Sequence, residues 1–120
     1  LFFNFGGIML LNKDSILSAA DFVYVEHEVP EWQGTVRLRG LSAAERDEFE
    51  ATLGVSQDLT NMRARLVVSC MVDDSGQRIF KNSEAKALGE KNATVINRLF
   101  EEVRKLSGMA DEDLGIAEGN

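Results

Sequence analysis

The side chains with the widest chemical range are rare in this chain, which has one histidine, His27, and one cysteine, Cys70. An imidazole can act as a general base or a metal ligand, and a thiolate can act as a nucleophile. His27 falls on the valine face of a predicted strand, where a single imidazole with a satisfied N–H is favoured over a base or a ligand. Cys70 falls in the apolar stripe of a predicted helix, which favours a buried thiol. These two residues therefore predict no catalytic triad.

Motifs for metals and cofactors give no support to an enzyme either. One histidine and one cysteine cannot supply a zinc ligand set. The run Asp73-Asp74-Ser75-Gly76 resembles a calcium loop only superficially, because the alternating oxygen ligands and the glutamate at position twelve are missing, and it predicts a turn. Neither a Walker loop nor a dinucleotide-binding glycine pattern occurs. We therefore expect a non-catalytic protein without a metal or cofactor.

Composition describes a single acidic domain. A chain of 120 residues can bury one core. Its net charge of −7 repels nucleic-acid phosphates and anionic lipid headgroups, so neither is an expected partner. No apolar run approaches the roughly 18 residues of a membrane span, and a lone cysteine cannot form an internal disulfide. These features predict a cytoplasmic protein.

The domain boundaries follow from the two ends of the chain. Residues 1–8 are apolar, lack the basic start of a secretory signal and end just before Met9. A natural start at Met9 would make them a non-native or over-extended segment. We expect a single α+β domain over residues 9–114 and a flexible acidic tail over residues 115–120.

Alternating apolar and polar residues predict a β-hairpin, with strands over residues 22–29 and 35–39. The valines and the leucine of these strands share one face, and the charged residues share the other. A register that places Glu28 opposite Arg37 also places Glu26 opposite Arg39, so two pairs of opposite charge favour it.

The turn over residues 30–34 should use Gly34 for a positive φ angle, because glycine has no Cβ to clash. The preceding proline needs no ladder hydrogen bond there.

Apolar residues at helical spacing predict a small bundle of about four helices packed on the hairpin. Asn12 should cap a short first helix. A capping box at Ser42 should begin the next helix, and Gly54 should end it. Asn92 and Gly108 should bound the last helix. With caps included, the expected helices cover residues 12–20, 42–53, 59–72, 83–89 and 92–108.

Two finer expectations concern helix faces. The second helix should bury Ala44, Phe49 and Leu53. The last helix should carry a Glu101–Lys105 pair on its outer face.

One continuous stretch also carries a family resemblance. It joins the only proline and tryptophan of the chain to the hairpin and the capped helix start. It reads Val29-Pro30-Glu31-Trp32-Gln33-Gly34, then Val36-Arg37-Leu38-Arg39, then Leu41-Ser42-Ala43-Ala44-Glu45-Arg46-Asp47-Glu48-Phe49-Glu50. Weaker likeness continues through Arg63-Ala64-Arg65-Leu66-Val67, Val72-Asp73-Asp74-Ser75-Gly76, Phe80 and Ala87-Leu88-Gly89. Over most of residues 9–114 the chain resembles the tail assembly chaperones of long-tailed bacteriophages and prophages.

The resemblance implies a non-catalytic assembly factor that acts in the host bacterial cytoplasm and is absent from the mature virion. It implies that the protein binds and solubilises the tape measure protein, a long and largely helical chain, and helps recruit tail tube subunits. A longer form made by ribosomal frameshifting would add a tube-binding extension. Self-association is a further expectation.

The candidate partner-binding residues are Trp32, Phe80, Glu31, Arg37 and Arg39. Trp32 places a large apolar ring on a predicted loop, where partner binding and packing over the hairpin are equally favoured. Two alternative functions stay open at this point: a structural tail or neck subunit retained in the virion, and a small enzyme without a recognisable motif.

Overall fold

The computed structural model of the protein describes residues 9–56 and 61–109, with the side chains of residues 54–56 outside that description. An N-terminal hairpin precedes most of the helices, which confirms the predicted α+β class. The helices and strands are α1 (Lys13–Ser18), β1 (Tyr24–Val29), β2 (Gly34–Arg39), α2 (Ala43–Ser56), α3 (Met62–Cys70), β3 (Met71–Val72), α4 (Ala85–Leu88) and α5 (Ala93–Leu106). Two 3₁₀ turns cover Pro30–Trp32 and Asn82–Glu84.

The sheet is antiparallel, with strand order β1-β2-β3. Glu26 lies opposite Arg37, and Tyr24 lies opposite Arg39. The predicted register was therefore wrong by two positions, although the buried and exposed residues of β1 alternate as predicted. A shift of two residues leaves every side chain on its original face, so alternation alone could not distinguish the two registers.

The tight hairpin turn explains the shift. Its 3₁₀ turn runs directly out of β1, and the Gln33 N–H donates to the Pro30 carbonyl over 2.9 Å. Gln33, at φ 61°, is the residue in the left-handed region, and Gly34 already begins β2. The prediction that Gly34 takes the positive φ was therefore wrong.

The core lies where α3 and α5 pack together and against the inner face of the hairpin. The predicted apolar stripes of both helices are confirmed. The fully buried side chains are Val29, Leu38, Leu66, Met71, Val67, Val68, Cys70, Val95, Leu99, Phe100 and Val103. Because the core takes residues from the hairpin and from the last helix, it requires both to be in place together.

The central helix is shorter than predicted. It ends at Cys70, and Met71 and Val72 become β3 by pairing with Leu38 and Arg37 of β2. The prediction of a helix through Val72 was wrong because this pairing supplies backbone hydrogen bonds that compete with helix continuation. The predicted start at residue 59 lies outside the described residues.

The capping box at the start of α2 is confirmed, since the Glu45 carboxylate accepts the Ser42 N–H over 2.9 Å and Ser42 Oγ accepts the Glu45 N–H over 3.1 Å. The helix passes through Gly54 and ends at Ser56, so the predicted end was wrong. Phe49 is buried as predicted, whereas Ala44 is exposed.

The predicted ends of α5 are confirmed, whereas the predicted start of α4 is not. Asn92 caps α5, because its side chain accepts the N–H groups of the following turn, and Gly108 ends the helix at φ 67°. Both predictions are confirmed. Ser83 lies inside the 3₁₀ turn before α4, where the Glu84 carboxylate accepts the Lys81 N–H over 2.7 Å, so Ser83 is not the cap.

Arg104 secures the end of α5. It donates to the Glu101 carboxylate over 2.7 Å and to the Met109 carbonyl over 2.8 Å. The expected Glu101–Lys105 pair was therefore wrong. Glu101 pairs instead with Arg104, three residues further along the helix. Met109 is buried, and the predicted tail over residues 115–120 lies outside the described residues.

Candidate functional site

The tip of the hairpin is clamped to the last helix. The Glu31 carboxylate accepts two hydrogen bonds from the Arg98 guanidinium, each 2.8 Å long. Hydrogen bonding to Arg98 is the main reason that the pKa of Glu31 is lowered from 4.5 to about 2. Trp32, the next residue, is half-buried and packs against the core. At this tip the ion pair and the packing of Trp32 both tie the hairpin to the rest of the domain.

Arg37 lies on the outer face of the sheet. Its guanidinium donates to the Glu26 carboxylate over 2.8 Å and to the Asp74 carbonyl over 3.4 Å. The hydrogen bond to Glu26 raises the pKa of Arg37. Both side chains of the pair remain partly exposed, so a partner could still contact them.

Arg39 lies at the opposite end of β2, and only 8% of it is exposed. It donates to both oxygens of Glu45 over 2.8 and 3.1 Å and to the Gly40 carbonyl over 2.8 Å. Its guanidinium also lies 4.7 Å from the centre of the Phe22 ring. The expectation that Arg39 faces Glu26 was wrong, because the register places Tyr24 opposite Arg39, and Glu45 at the start of α2 supplies the carboxylate instead.

Burial and hydrogen bonding act in opposite directions on the pKa values of Arg39 and Glu45. Burial on its own raises the pKa of Glu45, but hydrogen bonds from Arg39 and Ser42 outweigh it, and the net pKa lies below the ordinary value. The same bond to Glu45 raises the pKa of Arg39. Both groups therefore stay charged, and the pair joins the hairpin to α2.

Phe80 lies in the segment between β3 and α4. It is half-buried and packs against the core, whereas the preceding residue, Ile79, is 49% exposed. The five predicted partner-binding residues are therefore not brought into one cluster. Glu31 and Trp32 lie at the hairpin tip, and Arg39 lies at the far end of the same hairpin.

A different surface has the strongest apolar character in the described part of the chain. We call residues 9–24 the N-terminal arm. Eight of the nine large apolar side chains that are exposed in residues 9–53 and 61–109 belong to it. Leu10 is 93% exposed and Leu17 is 77% exposed, and the others are Met9, Leu11, Ile16, Phe22, Val23 and Tyr24. Such a concentration of exposed apolar surface is typical of an interaction site.

The helical part of the arm is capped but does not pack against the core. Asn12 accepts the Ser15 N–H over 2.8 Å, which confirms the predicted cap of α1, although the helix ends at Ser18 instead of residue 20. No residue of α1 is buried. The arm leads into β1, an outer strand of the sheet.

Sequence reasoning did not identify the arm as a site. The available signal was that Ile16 and Leu17 recur in a short helix with too few apolar residues to form a core-facing stripe.

His27 and Cys70, the two residues considered for catalysis, both pack within the fold. His27 is half-buried on β1 opposite Val36, on the valine face as predicted. Cys70 is fully buried, and burial raises the pKa of its thiol to about 12. A thiol with so high a pKa is protonated at neutral pH and is a poor nucleophile.

The acidic turn after β3 uses its oxygen atoms within the chain. Asp73 accepts the N–H groups of Ser75 and Gln77 over 2.9 and 3.0 Å, which confirms a turn. Arg78 then forms an isolated antiparallel bridge with Val72, next to β3. In the described residues no cluster of three or more potential metal ligands occurs. No helix among them has the length and apolar character of a membrane span.

Comparison with protein families identifies the family of this chain. A family profile described as "Phage tail assembly chaperone" matches residues 13–115. The chain belongs to the phage tail assembly chaperone family. The resemblance drawn from the hairpin and the capped helix is thereby confirmed.

A solved structure supports the assignment at the level of the fold. This tail assembly chaperone is similar to the structure of the bacteriophage HK97 tail assembly chaperone, at 26% sequence identity and a TM-score of 0.61. The similarity covers 82% of this chain and 95% of the HK97 chain. No curated protein matches the chain. Family membership gives the chain a role in tail assembly, a kind of role that in general needs no catalysis.

Proposed function

We propose that this chaperone binds the tape measure protein in the host cytoplasm, keeps it soluble and helps recruit tail tube subunits, without catalysis. In this proposal it leaves the assembly before the virion matures. The observation that carries the proposal is the N-terminal arm, whose apolar side chains are exposed in a protein of a tail assembly family.

The exposed apolar side chains of the arm suit a helical client with apolar stripes. A long helical client that aggregates when alone presents apolar stripes that need covering. Leu10, Ile16 and Leu17 offer apolar contacts that no part of the described core uses. One arm can bury only a small area, but many copies along one client would bind with accumulated avidity. The net charge of −7 would keep such a coated complex soluble.

The residues named from the sequence contribute to this proposal unequally. Trp32 and Phe80 are half-buried and would contact a partner only with their exposed edges. Glu31, at the hairpin tip, and Arg37, on the outer face of the sheet, remain partly exposed beside their ion-pair partners and would offer charged contacts. Arg39 would act indirectly, because its guanidinium lies over Phe22 and so supports the base of the arm.

Co-expression with the tape measure protein tests the proposal. The soluble fraction of the tape measure protein should rise with the unmodified chaperone and should fall with the Leu10→Gln/Leu17→Gln variant. Ile79→Gln is the matched control, because Ile79 is also an exposed apolar residue but lies outside the arm. If the unmodified chaperone neither binds the tape measure protein nor raises its solubility, the proposal fails.

Mass spectrometry of purified virions tests the proposed departure before maturation. A chaperone should be missing from the particles, whereas a structural tail or neck subunit would remain in them. Detection at the stoichiometry of a tail component would favour the structural alternative.

A further inference from the structure

A groove opens between the N-terminal ends of α3 and α5, away from the N-terminal arm. Its volume is about 360 Å³. Its floor is apolar, with Met62, Ala64 and Ile96 almost fully buried beneath it. Asn61 and Asn97 add amide groups to its walls. The groove is therefore large enough for one or two side chains of a peptide.

The charge of this groove is opposite to that of the chain. Arg63 on α3 and Lys91 in the segment between α4 and α5 line the groove, and none of its described lining residues is acidic. Within residues 9–56 and 61–109, neither cation forms an ion pair with a carboxylate. Among the described residues these two cations have no carboxylate partner, so they leave a local positive charge in a chain of net charge −7.

Arg63 is also held in a defined position. Its guanidinium lies 5.2 Å from the centre of the Phe100 ring, and that ring is fully buried. A cation–π contact restrains the guanidinium while its N–H groups remain able to donate to a ligand. Lys91, on the other side, is exposed and presents a mobile ammonium group.

We propose that this groove binds an acidic peptide segment of a partner protein, with an apolar side chain over the floor and carboxylates at Arg63 and Lys91. Carboxylates fit better than a nucleic-acid backbone because the remaining surface is acidic and would repel a long polyphosphate. A short acidic segment needs only the two cations that the groove supplies. The groove and the arm are separate surfaces, so this proposal does not depend on the identity of the arm's client.

A peptide titration followed by NMR tests the proposal on the full chain. The ligand is the capped pentapeptide Glu-Glu-Leu-Glu-Glu, and the signals to follow are the backbone amides of Met62, Ala64 and Ile96. We expect saturable shifts that weaken as salt is added. Arg63→Gln/Lys91→Gln should lower the affinity roughly tenfold. Lys86→Gln/Lys105→Gln removes the same charge from exposed helix positions outside the groove and should leave affinity within about twofold.

Lys91→Glu is the second variant, because Arg63 also packs on Phe100 and its loss could disturb the fold. This variant should keep the amide spectrum of a folded protein and lose peptide binding. Absence of a saturable shift at millimolar peptide overturns the proposal, as does equal binding by the groove and control variants. Tighter binding of a single-stranded oligonucleotide of equal charge at these same amides would also overturn it.

Discussion

Arg98 on α5 holds Glu31 at the hairpin tip through two parallel hydrogen bonds, each 2.8 Å long, between residues 67 positions apart in the chain. Paired donors and acceptors of this kind fix direction as well as distance. Because both side chains are partly exposed, the main effect of the clamp is to orient the tip, where Trp32 meets the core. The clamp is also a titratable contact.

The clamp should weaken only in acid. The pKa of Glu31 is lowered from 4.5 to about 2, so the stabilisation is fully present above pH 4.5 and is lost as the pH falls towards 2. NMR titration of the Glu31 carboxyl carbon should give a midpoint near 2. In the Arg98→Gln variant the midpoint should move up towards 4.5. An unchanged midpoint in that variant would show that Arg98 is not the cause.

Removal of the buried cation at the base of the hairpin should be costly. Arg39→Met leaves Glu45 partly buried without its partner and should lower the free energy of unfolding by about 3 kcal/mol in urea denaturation. The double variant Arg39→Met/Glu45→Met should recover part of that loss, because no charge is then left unpaired. Arg37→Met is the control, since its pair with Glu26 is more exposed and should matter less. Equal losses in the two single variants would contradict this account.

The turn between β2 and α2 should tolerate no side chain at Gly40. A Cβ there would lie 2.5 Å from the carbonyl oxygen of Leu106, which belongs to the backbone of α5 and cannot easily move. Gly40→Ala should therefore lower the free energy of unfolding by about 1–3 kcal/mol. Gly34→Ala is the matched control, because no atom lies within 4 Å of its added Cβ and its φ is not positive. Similar stabilities for the two variants would refute the predicted clash.

The N-terminal arm should be dispensable for folding. Leu10→Gln/Leu17→Gln should change the free energy of unfolding by less than about 0.5 kcal/mol, since both side chains are exposed. Leu66→Ala, in the core of α3, should cost about 2–5 kcal/mol. Chemical denaturation compares the variants. A large loss in the arm variant would indicate that the arm packs against the domain.

The cysteine should be unreactive until the protein unfolds. Burial raises the pKa of Cys70 to about 12, and the side chain is fully covered. A chromogenic thiol reagent should label it slowly in native buffer and completely in denaturant. Rapid and complete labelling of the native protein would show that α3 opens readily. Since the thiol takes part in packing only, Cys70→Ala should preserve solubilisation of the tape measure protein.

Local signals in the sequence predicted the ends of several helices well. Asn12, Ser42, Asn92 and Gly108 act as predicted, because a cap or a left-handed C-terminal residue interacts with backbone only a few positions away. Gly54 shows the limit of such signals. Glycine permits a helix to end, but α2 continues past it.

The pairing of charges was less predictable. Glu26 could face Arg37 or Arg39 without any side chain changing face, and both choices join opposite charges. The tight turn at Gln33 decided for Arg37. Arg39 then found its partner in Glu45, on a helix that the strand pattern could not place in space.

The sequence by itself determined the α+β class, the faces of the strands, the apolar stripes of α3 and α5, and the family, because all of these depend on periodicity or on contiguous residues. Only the tertiary structure decided the register, the third strand at Met71–Val72 and the burial of Arg39, because these depend on contacts between distant segments. It also separated the apolar residues that the core uses from those in the N-terminal arm. The residue types are the same in both places, and only packing distinguishes a core leucine from one available to a partner.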